Sequence, residues 1–302
     1  MDIVVFGAGS LGSLVGGLLA REHDVTLVAR EAHARAVRES GLRLEGAVTG
    51  SPTRVFPAAT TDGTGLKADL AVVTVKSFDT ASAADRLTTG SFDGVLSLQN
   101  GMGNEATLAA RLEAPVLAGT ATYGAILQDS GVVECTGIGE VVLGARGGGP
   151  SELAARIGKA FATAGLEITV VEDMPRRLWE KLAVNAGINP VTALSATENG
   201  AVFEEPADAL SRAAVRETAR VARACDVSLS NREALAAMAA VAEATAANTS
   251  SMRQDILAER RTEIDAINGY VVDRAAETGL EVPINRTLTA LIRTWERGQG
   301  LR

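Results

Sequence analysis

The chain reads as an α/β protein joined to an all-helical one, and three observations predict that division. Its first thirty residues, MDIVVFGAGSLGSLVGGLLAREHDVTLVAR, set Gly7-x-Gly9-x-x-Gly12 between two apolar runs, 3–6 and 25–28. Further apolar runs of strand length recur as far as about residue 171, bounded by turn or helix signals. Beyond Asp173 the strand signals stop, and helical patterns alternate with short breaks. The expected architecture is a Rossmann-type dinucleotide-binding domain over 1–173 and a helical domain over 174–302. A cleft between two such domains is the usual place for a substrate.

The elements justify this in order. A buried strand running into Gly7 and a small-residue helix is the context a dinucleotide fingerprint needs. Gly7 makes the tight turn, Gly9 lets backbone approach a pyrophosphate, and Gly12 lets the helix lie close on the sheet. The helix N-terminus then offers N–H donors to phosphate. The second strand ends at Arg30-Glu31, where an arginine favours the 2′-phosphate of NADP and an acid the ribose of NAD. NADP is the expected cofactor; the alternative is that Arg30 is a solvated strand end. Run 68–75 (ADLAVVTV) reads as a buried parallel strand ending at Lys76, and 94–98 as another ending before Asn100-Gly101. Both ends fall on the ligand edge of an open sheet. A strand is expected over 116–123, an antiparallel pair over 132–136 and 140–143, a helix over 151–164 and a strand over 167–171.

In the helical part, RLWEKLAVNAGINPVTALSATENG spaces Lys181, Asn185 and Asn189 by four, which puts three polar groups on one helix face among apolar neighbours. An ammonium and two carboxamides so placed could hold a small, anionic ligand. A snorkelling Lys181, a satisfied Asn185 and a capping Asn189 are the plainer alternative. Pro190 should kink the helix, or restart it with Asn189 as N-cap. An alanine-rich helix follows over 233–247. In NTSSMRQD, Ser251-x-x-Gln254 fits a capping box, whose free N–H groups suit a carboxylate. Thr262-Glu263-Ile264-Asp265 reads as another N-terminus, so a break is expected near 259–261. Without it Ser251 and Glu263 would stand about 18 Å apart. Glu263 lies at the edge of an apolar face and could be only a first-turn acid.

Composition bounds the partners. The 302 residues carry a net charge of −8, which disfavours nucleic acid and anionic membranes. No apolar run approaches the roughly 18 residues of a spanning helix. Met1 leads straight into a strand, so no signal peptide is expected and the cytoplasm is the default. Two isolated cysteines, Cys135 and Cys225, and two histidines, His23 and His33, argue against a disulfide framework or a metal site. Lysines are scarce, only Lys67, Lys76, Lys159 and Lys181, which singles out a lysine in a motif, since lysine can give up a proton near neutral pH. The helical part could also pair two copies into a homodimer.

Six segments, GAGSLG, TVKSF, LQNGMGN, RLWEKLAVNAGINPVTAL, NTSSMRQD and RRTEIDAINGYVV, occur in the order seen in ketopantoate reductases (2-dehydropantoate 2-reductases). The chain resembles that family over nearly its whole length, and the last three segments are far more specific than the glycine fingerprint. The resemblance implies reduction of 2-dehydropantoate to pantoate with NADPH, in pantothenate and coenzyme A synthesis. It also implies a C-terminal domain like that of 6-phosphogluconate dehydrogenase. By the same resemblance Lys181 is the proton donor and Glu263 an acid near the nicotinamide ribose and the reacting centre. Asn185, Asn189 and Asn199 would contact substrate, with Asn100 and Asn248 beside them, and Ser251 would lie near its carboxylate. Gly7, Ala8, Gly9, Ser10, Leu11, Gly12, Arg30, Lys76, Asn100 and Ala125 would contact NADP, and Arg260 matches an arginine before TEID. The chain departs at ATYG (121–124) from the Thr-Thr-His-Ala of some members. Other readings left open are a reductase of another branched 2-oxo acid and a non-catalytic NADPH-binding sensor.

Overall fold

A computed structural model describes residues 1–302. Its contacts divide the chain into two units, Met1–Gln99 with Asn104–Met174, and Asn100–Gly103 with Pro175–Arg302.

The first unit begins with β1 (Asp2–Phe6), α1 (Ser10–Leu19), β2 (Asp24–Val28) and α2 (Glu31–Ser40). Short strands β3 (Leu42–Gly46), β4 (Thr53–Val55) and β5 (Ala58–Thr60) follow. Next come β6 (Lys67–Val73), α3 (Thr80–Leu87), β7 (Ser91–Ser97), α4 (Asn104–Ala109) and β8 (Val116–Ala121). The unit closes with β9 (Gly124–Asp129), β10 (Val132–Gly137), β11 (Val141–Ala145), α5 (Glu152–Thr163) and β12 (Ile168–Val170). The main sheet runs β12-β11-β8-β7-β6-β1-β2-β5. From β5 to β8 all pairs are parallel, the doubly wound order in which the first strand lies centrally and its C-terminal end marks the switch point. The near-continuous apolar runs of β1, β6 and β7 are explained by burial on both faces.

One expectation is overturned here. Strands β10 and β11 do not pair with each other. β10 pairs with β9 and β3 in a second sheet ordered β4-β3-β10-β9, whereas β11 pairs with β8 and β12 in the main one. Gly137-Ile138-Gly139 is therefore a crossing between sheets rather than a hairpin turn. At Gly139 a Cβ would fall 2.4 Å from the carbonyl carbon of Thr122, so the returning chain needs a glycine to lie this close to the end of β8. Helix α1 sits between the two sheets, its Gly16 against Leu27 of β2 and its Gly17 against Leu44 of β3.

The second unit holds α6 (Met174–Ser195), α7 (Ala207–Ala224), α8 (Asn231–Ala244), α9 (Ser251–Leu257), α10 (Tyr270–Glu277) and α11 (Pro283–Gly298). Helix α8 starts on a full capping box, Ser230 with Glu233. Helix α11 starts at Pro283, and the buried Glu217 of α7 accepts the amides of Ile284 and Asn285 at 3.0 and 2.9 Å. Asn100–Gly103 packs with this unit because the Met102 amide donates to the Ala266 carbonyl at 2.9 Å. No helix is long and apolar enough to cross a membrane.

Candidate active site

The loop after β1 is built by steric necessity. Gly7 has φ +102°, and a Cβ there would lie 2.6 Å from the Val75 side chain and 2.7 Å from its amide nitrogen. At Gly12 a Cβ would lie 2.4 Å from Thr74 Oγ1, the hydroxyl that donates to the Gly7 carbonyl at 2.9 Å. Gly9 differs. Its Cβ would meet nothing nearer than 4.0 Å, so the protein's own packing does not demand a glycine there. Open space above an exposed loop glycine fits a ligand backbone-close to it. Gly7 and Ala8 both donate to the Val28 carbonyl. No side chain caps α1, so the amides around Ser10, Leu11 and Gly12 have no capping partner and would suit a phosphate. These residues fit a dinucleotide.

Other expected cofactor positions surround that edge. Arg30 is exposed at the N-cap of α2, and its neighbour Glu31 pairs with Arg38 at 3.2 Å. Lys76 is half-buried just past β6 and opens a short 3₁₀ turn, Ser77–Asp79. Gln99, past β7, donates to the Val75 carbonyl at 3.0 Å and to Thr80 at 2.7 Å, and so ties the exits of β6 and β7 together. Asn100 follows it, half-buried. Ala125 lies on β9, which is fastened to α1 by the Leu127 amide donating to Ser10 Oγ at 3.1 Å.

In the helical unit Lys181, Asn185 and Asn189 all lie on α6, the first two half-buried and Asn189 buried. The helix does not restart at Pro190, and Asn189 is not a cap; the helix runs on to Ser195. Proline there removes the N–H that would have bonded the Ala186 carbonyl. The buried Asn268 replaces it, donating Nδ2 to that carbonyl at 3.1 Å and to Asn285 Oδ1 at 3.0 Å. Asn285 continues the chain to Glu217 at 2.8 Å. Sequence reading missed this network. Pro190 announces an orphaned carbonyl, but nothing local says which donor reaches it.

Glu263, only 5% exposed, follows a break after α9, where Glu259 takes φ +49°. A π-helical turn, Asp265–Gly269, leads from there into α10. Thr262 does not cap Asp265. Its hydroxyl accepts the Ile264 amide at 3.2 Å, while its own amide and hydroxyl donate to the fully buried Glu296 at 2.8 and 2.7 Å. Glu296 thus fixes the backbone beside Glu263. Burial pushes the Lys181 ammonium down to about 8, and the Glu263 carboxylate works against that shift.

The capping expectation at Ser251 is also corrected. Ser250 is the N-cap, accepting the Arg253 amide at 3.3 Å, and its hydroxyl meets Thr192 of α6 at 2.8 Å. Gln254 donates to the Thr249 carbonyl instead of closing a box. Ser251 is left exposed in the first turn, and Arg260 pairs with the buried Asp255 at 3.8 Å. Asn199 and Asn248 are brought together, the Asn199 amide donating to the Asn248 carbonyl at 3.0 Å. Asn199 Nδ2 reaches Thr245, while its buried Oδ1 has no partner in the protein and could accept from a ligand hydroxyl.

A glycine loop that suits a dinucleotide in one unit, and in the other a lysine whose burial-lowered pKa is raised by the charge of Glu263, fit a nicotinamide-type oxidoreductase, the class of its relatives. The chain belongs to the ketopantoate reductase family. Residues 3–148 match the family described as Ketopantoate reductase PanE/ApbA, and residues 173–296 match its C-terminal part. It is 46% identical to the 2-dehydropantoate 2-reductase of Halobacterium salinarum over 98% of this chain and 99% of that one. To the enzyme of the same name from Pyrococcus horikoshii it is 38% identical over 98% of each. A PanE/ApbA family ketopantoate reductase structure from Ralstonia eutropha matches with TM-score 0.91 and 36% identity, covering 99% of this chain and all of that one. The ternary structure of D-mandelate dehydrogenase with NADH and anilino(oxo)acetate has the same fold, with TM-score 0.92 at 23% identity over the whole of both chains.

Proposed function

We propose that this chain reduces 2-dehydropantoate to pantoate with NADPH, a step of pantothenate synthesis, with Lys181 as the proton donor. The observation that carries the reading is Lys181, half-buried on α6 with Asn185 and Asn189, where burial lowers its pKa to about 8 and the charge of Glu263 works against that shift. Such a group gives up a proton far more readily than a solvated lysine, while still arriving charged. NADPH, when bound, supplies the hydride. As negative charge grows on the former ketone oxygen, the Lys181 ammonium stabilises it and transfers its proton. Glu263 keeps the lysine charged and aimed.

The substrate's remaining groups fall to neutral donors and acceptors that orient without competing for the proton. Asn185, Asn189 and Asn199 would take its hydroxyl and oxo oxygens, and Ser251 with Asn248 its carboxylate. Gly7, Ala8, Gly9, Ser10, Leu11 and Gly12 would hold the pyrophosphate, and Arg30 the 2′-phosphate, a role favoured by the pairing of Glu31 with Arg38. Lys76, Asn100, Ala125 and Glu263 would complete the cofactor contacts. The relatives named 2-dehydropantoate 2-reductase support the substrate assignment.

The test is NADPH oxidation at 340 nm with 2-dehydropantoate, with NADH and other branched 2-oxo acids run beside it. Selective turnover of 2-dehydropantoate with NADPH is expected. Faster turnover of another oxo acid would replace the substrate, and NADPH binding with no turnover of any would remove the reaction.

A further inference from the structure

His33 lies in the first turn of α2 and is only 4% exposed, yet each ring nitrogen meets a partner on a different element. The Gly131 amide donates to Nδ1 at 3.0 Å. A backbone N–H can only donate, so Nδ1 carries no hydrogen. The proton therefore sits on Nε2, which stands 3.0 Å from Ser13 Oγ and donates to it. Ser13, its lone pair so used, donates onward to the Ala8 carbonyl at 3.2 Å. One backbone amide thus fixes the direction of every hydrogen bond in the relay. Burial lowers the imidazole's pKa, which favours the neutral ring this arrangement needs.

The ends of the relay are informative. Ala8 stands one residue ahead of Gly9, the N-cap of α1, and so outside the helix ladder that would otherwise occupy its carbonyl. Gly131 closes the turn between β9, which carries Ala125, and β10. His33 itself rides on the helix that Arg30 opens. One imidazole therefore joins the three elements that carry the pyrophosphate loop, the ribose-phosphate arginine and the β9 strand.

We propose that His33 is a positioning residue for the dinucleotide: through Ser13 it sets the Ala8 carbonyl, and with it the shape of the phosphate loop. This rests on the reading that the loop holds a nicotinamide dinucleotide. A histidine serving only the core would tolerate any substitution that preserves folding. A positioning histidine needs a donor at the Nε2 location.

Glutamine and asparagine separate the two demands. His33→Gln can place an amide N–H where Nε2 was, whereas His33→Asn can only retain the acceptor toward Gly131. NADPH affinity measured by fluorescence titration, with KM and kcat beside it, should give His33→Gln a Kd within about threefold of the parent. His33→Asn and Ser13→Ala should weaken binding by about tenfold or more, the worth of one well-made hydrogen bond. At saturating NADPH, kcat should stay within about twofold for all three. Parent-like Kd in folded His33→Asn and Ser13→Ala would overturn the proposal. So would equal losses in all variants that track their melting temperatures. If the parent protein bound neither NADPH nor NADH, the dinucleotide reading itself would fall, an outcome distinct from indifferent variants on a parent that binds.

Discussion

The glycine loop and the Lys181–Glu263 pair are held in different ways. The loop's steric limits lie within six residues and one neighbouring strand end, since Gly7 and Gly12 leave no room for a Cβ against Val75 and Thr74, while the His33–Ser13 relay reaches its Ala8 carbonyl from outside. The pair is assembled from α6 and from an irregular segment far along the chain, held by Glu296, Thr262 and the Pro190–Asn268 exchange. The steric demands of the loop are written in consecutive residues and broken by adding one carbon atom. The pair is written in partners distant in sequence, and its failure should be graded according to which partner is removed.

The largest effect should come from the chemistry itself. Lys181→Ala should lower kcat by roughly 10²–10⁴ while NADPH affinity stays near the parent value, measured by steady-state kinetics and direct titration. Survival of turnover within a few-fold would break the comparison at its centre. Gly7→Ala forces a methyl group into the Val75 backbone at φ +102° and should cost at least about 1–3 kcal/mol in thermal or urea unfolding, together with NADPH binding. In the helical unit, Asn268→Ala leaves the Ala186 carbonyl and Asn285 Oδ1 without their donor, and a loss of about 1–3 kcal/mol is expected in the same unfolding assay.

That contrast also explains what could be read in advance. The parallel core, the glycine loop and the change to helices near residue 173 follow from local apolar runs and turn chemistry. Strand β9 (GAILQD) has no such run, and β4 is only three residues long, so the second sheet was not visible. Whether β10 pairs with β9 or β11 is decided across sheets, beyond the reach of periodicity. At NTSS, adjacent serines offer the same capping chemistry. The choice of Ser250 is made by Thr192, more than fifty residues away.

Smaller effects sharpen the same point. Ser250→Ala should destabilise by about 0.5–2 kcal/mol, while Ser251→Ala should change stability by less than about 0.5 kcal/mol and act on the KM of the oxo acid instead. If Ser251→Ala proves the more destabilising in thermal unfolding, the cap assignment is wrong. The subtlest test is the pH profile of kcat. Reduction needs Lys181 protonated, so kcat should fall as pH rises through about 8. Glu263→Gln removes the charge that holds the lysine's pKa up, so this descending limb should move to lower pH. A limb that stays in place would separate the two residues.

The proline inside α6 carries an evolutionary consequence. An interior proline ordinarily costs a helix about 3 kcal/mol, so replacing it by alanine would be expected to stabilise. Here the restored amide would compete with Asn268 for a single carbonyl and strand a buried carboxamide. Positions 190 and 268 should therefore be coupled, so that a double-mutant cycle of Pro190→Ala and Asn268→Ala is expected to be non-additive in unfolding. A lineage that exchanged Pro190 would first have to relax Asn268, and with it the Asn285–Glu217 pair at the start of α11.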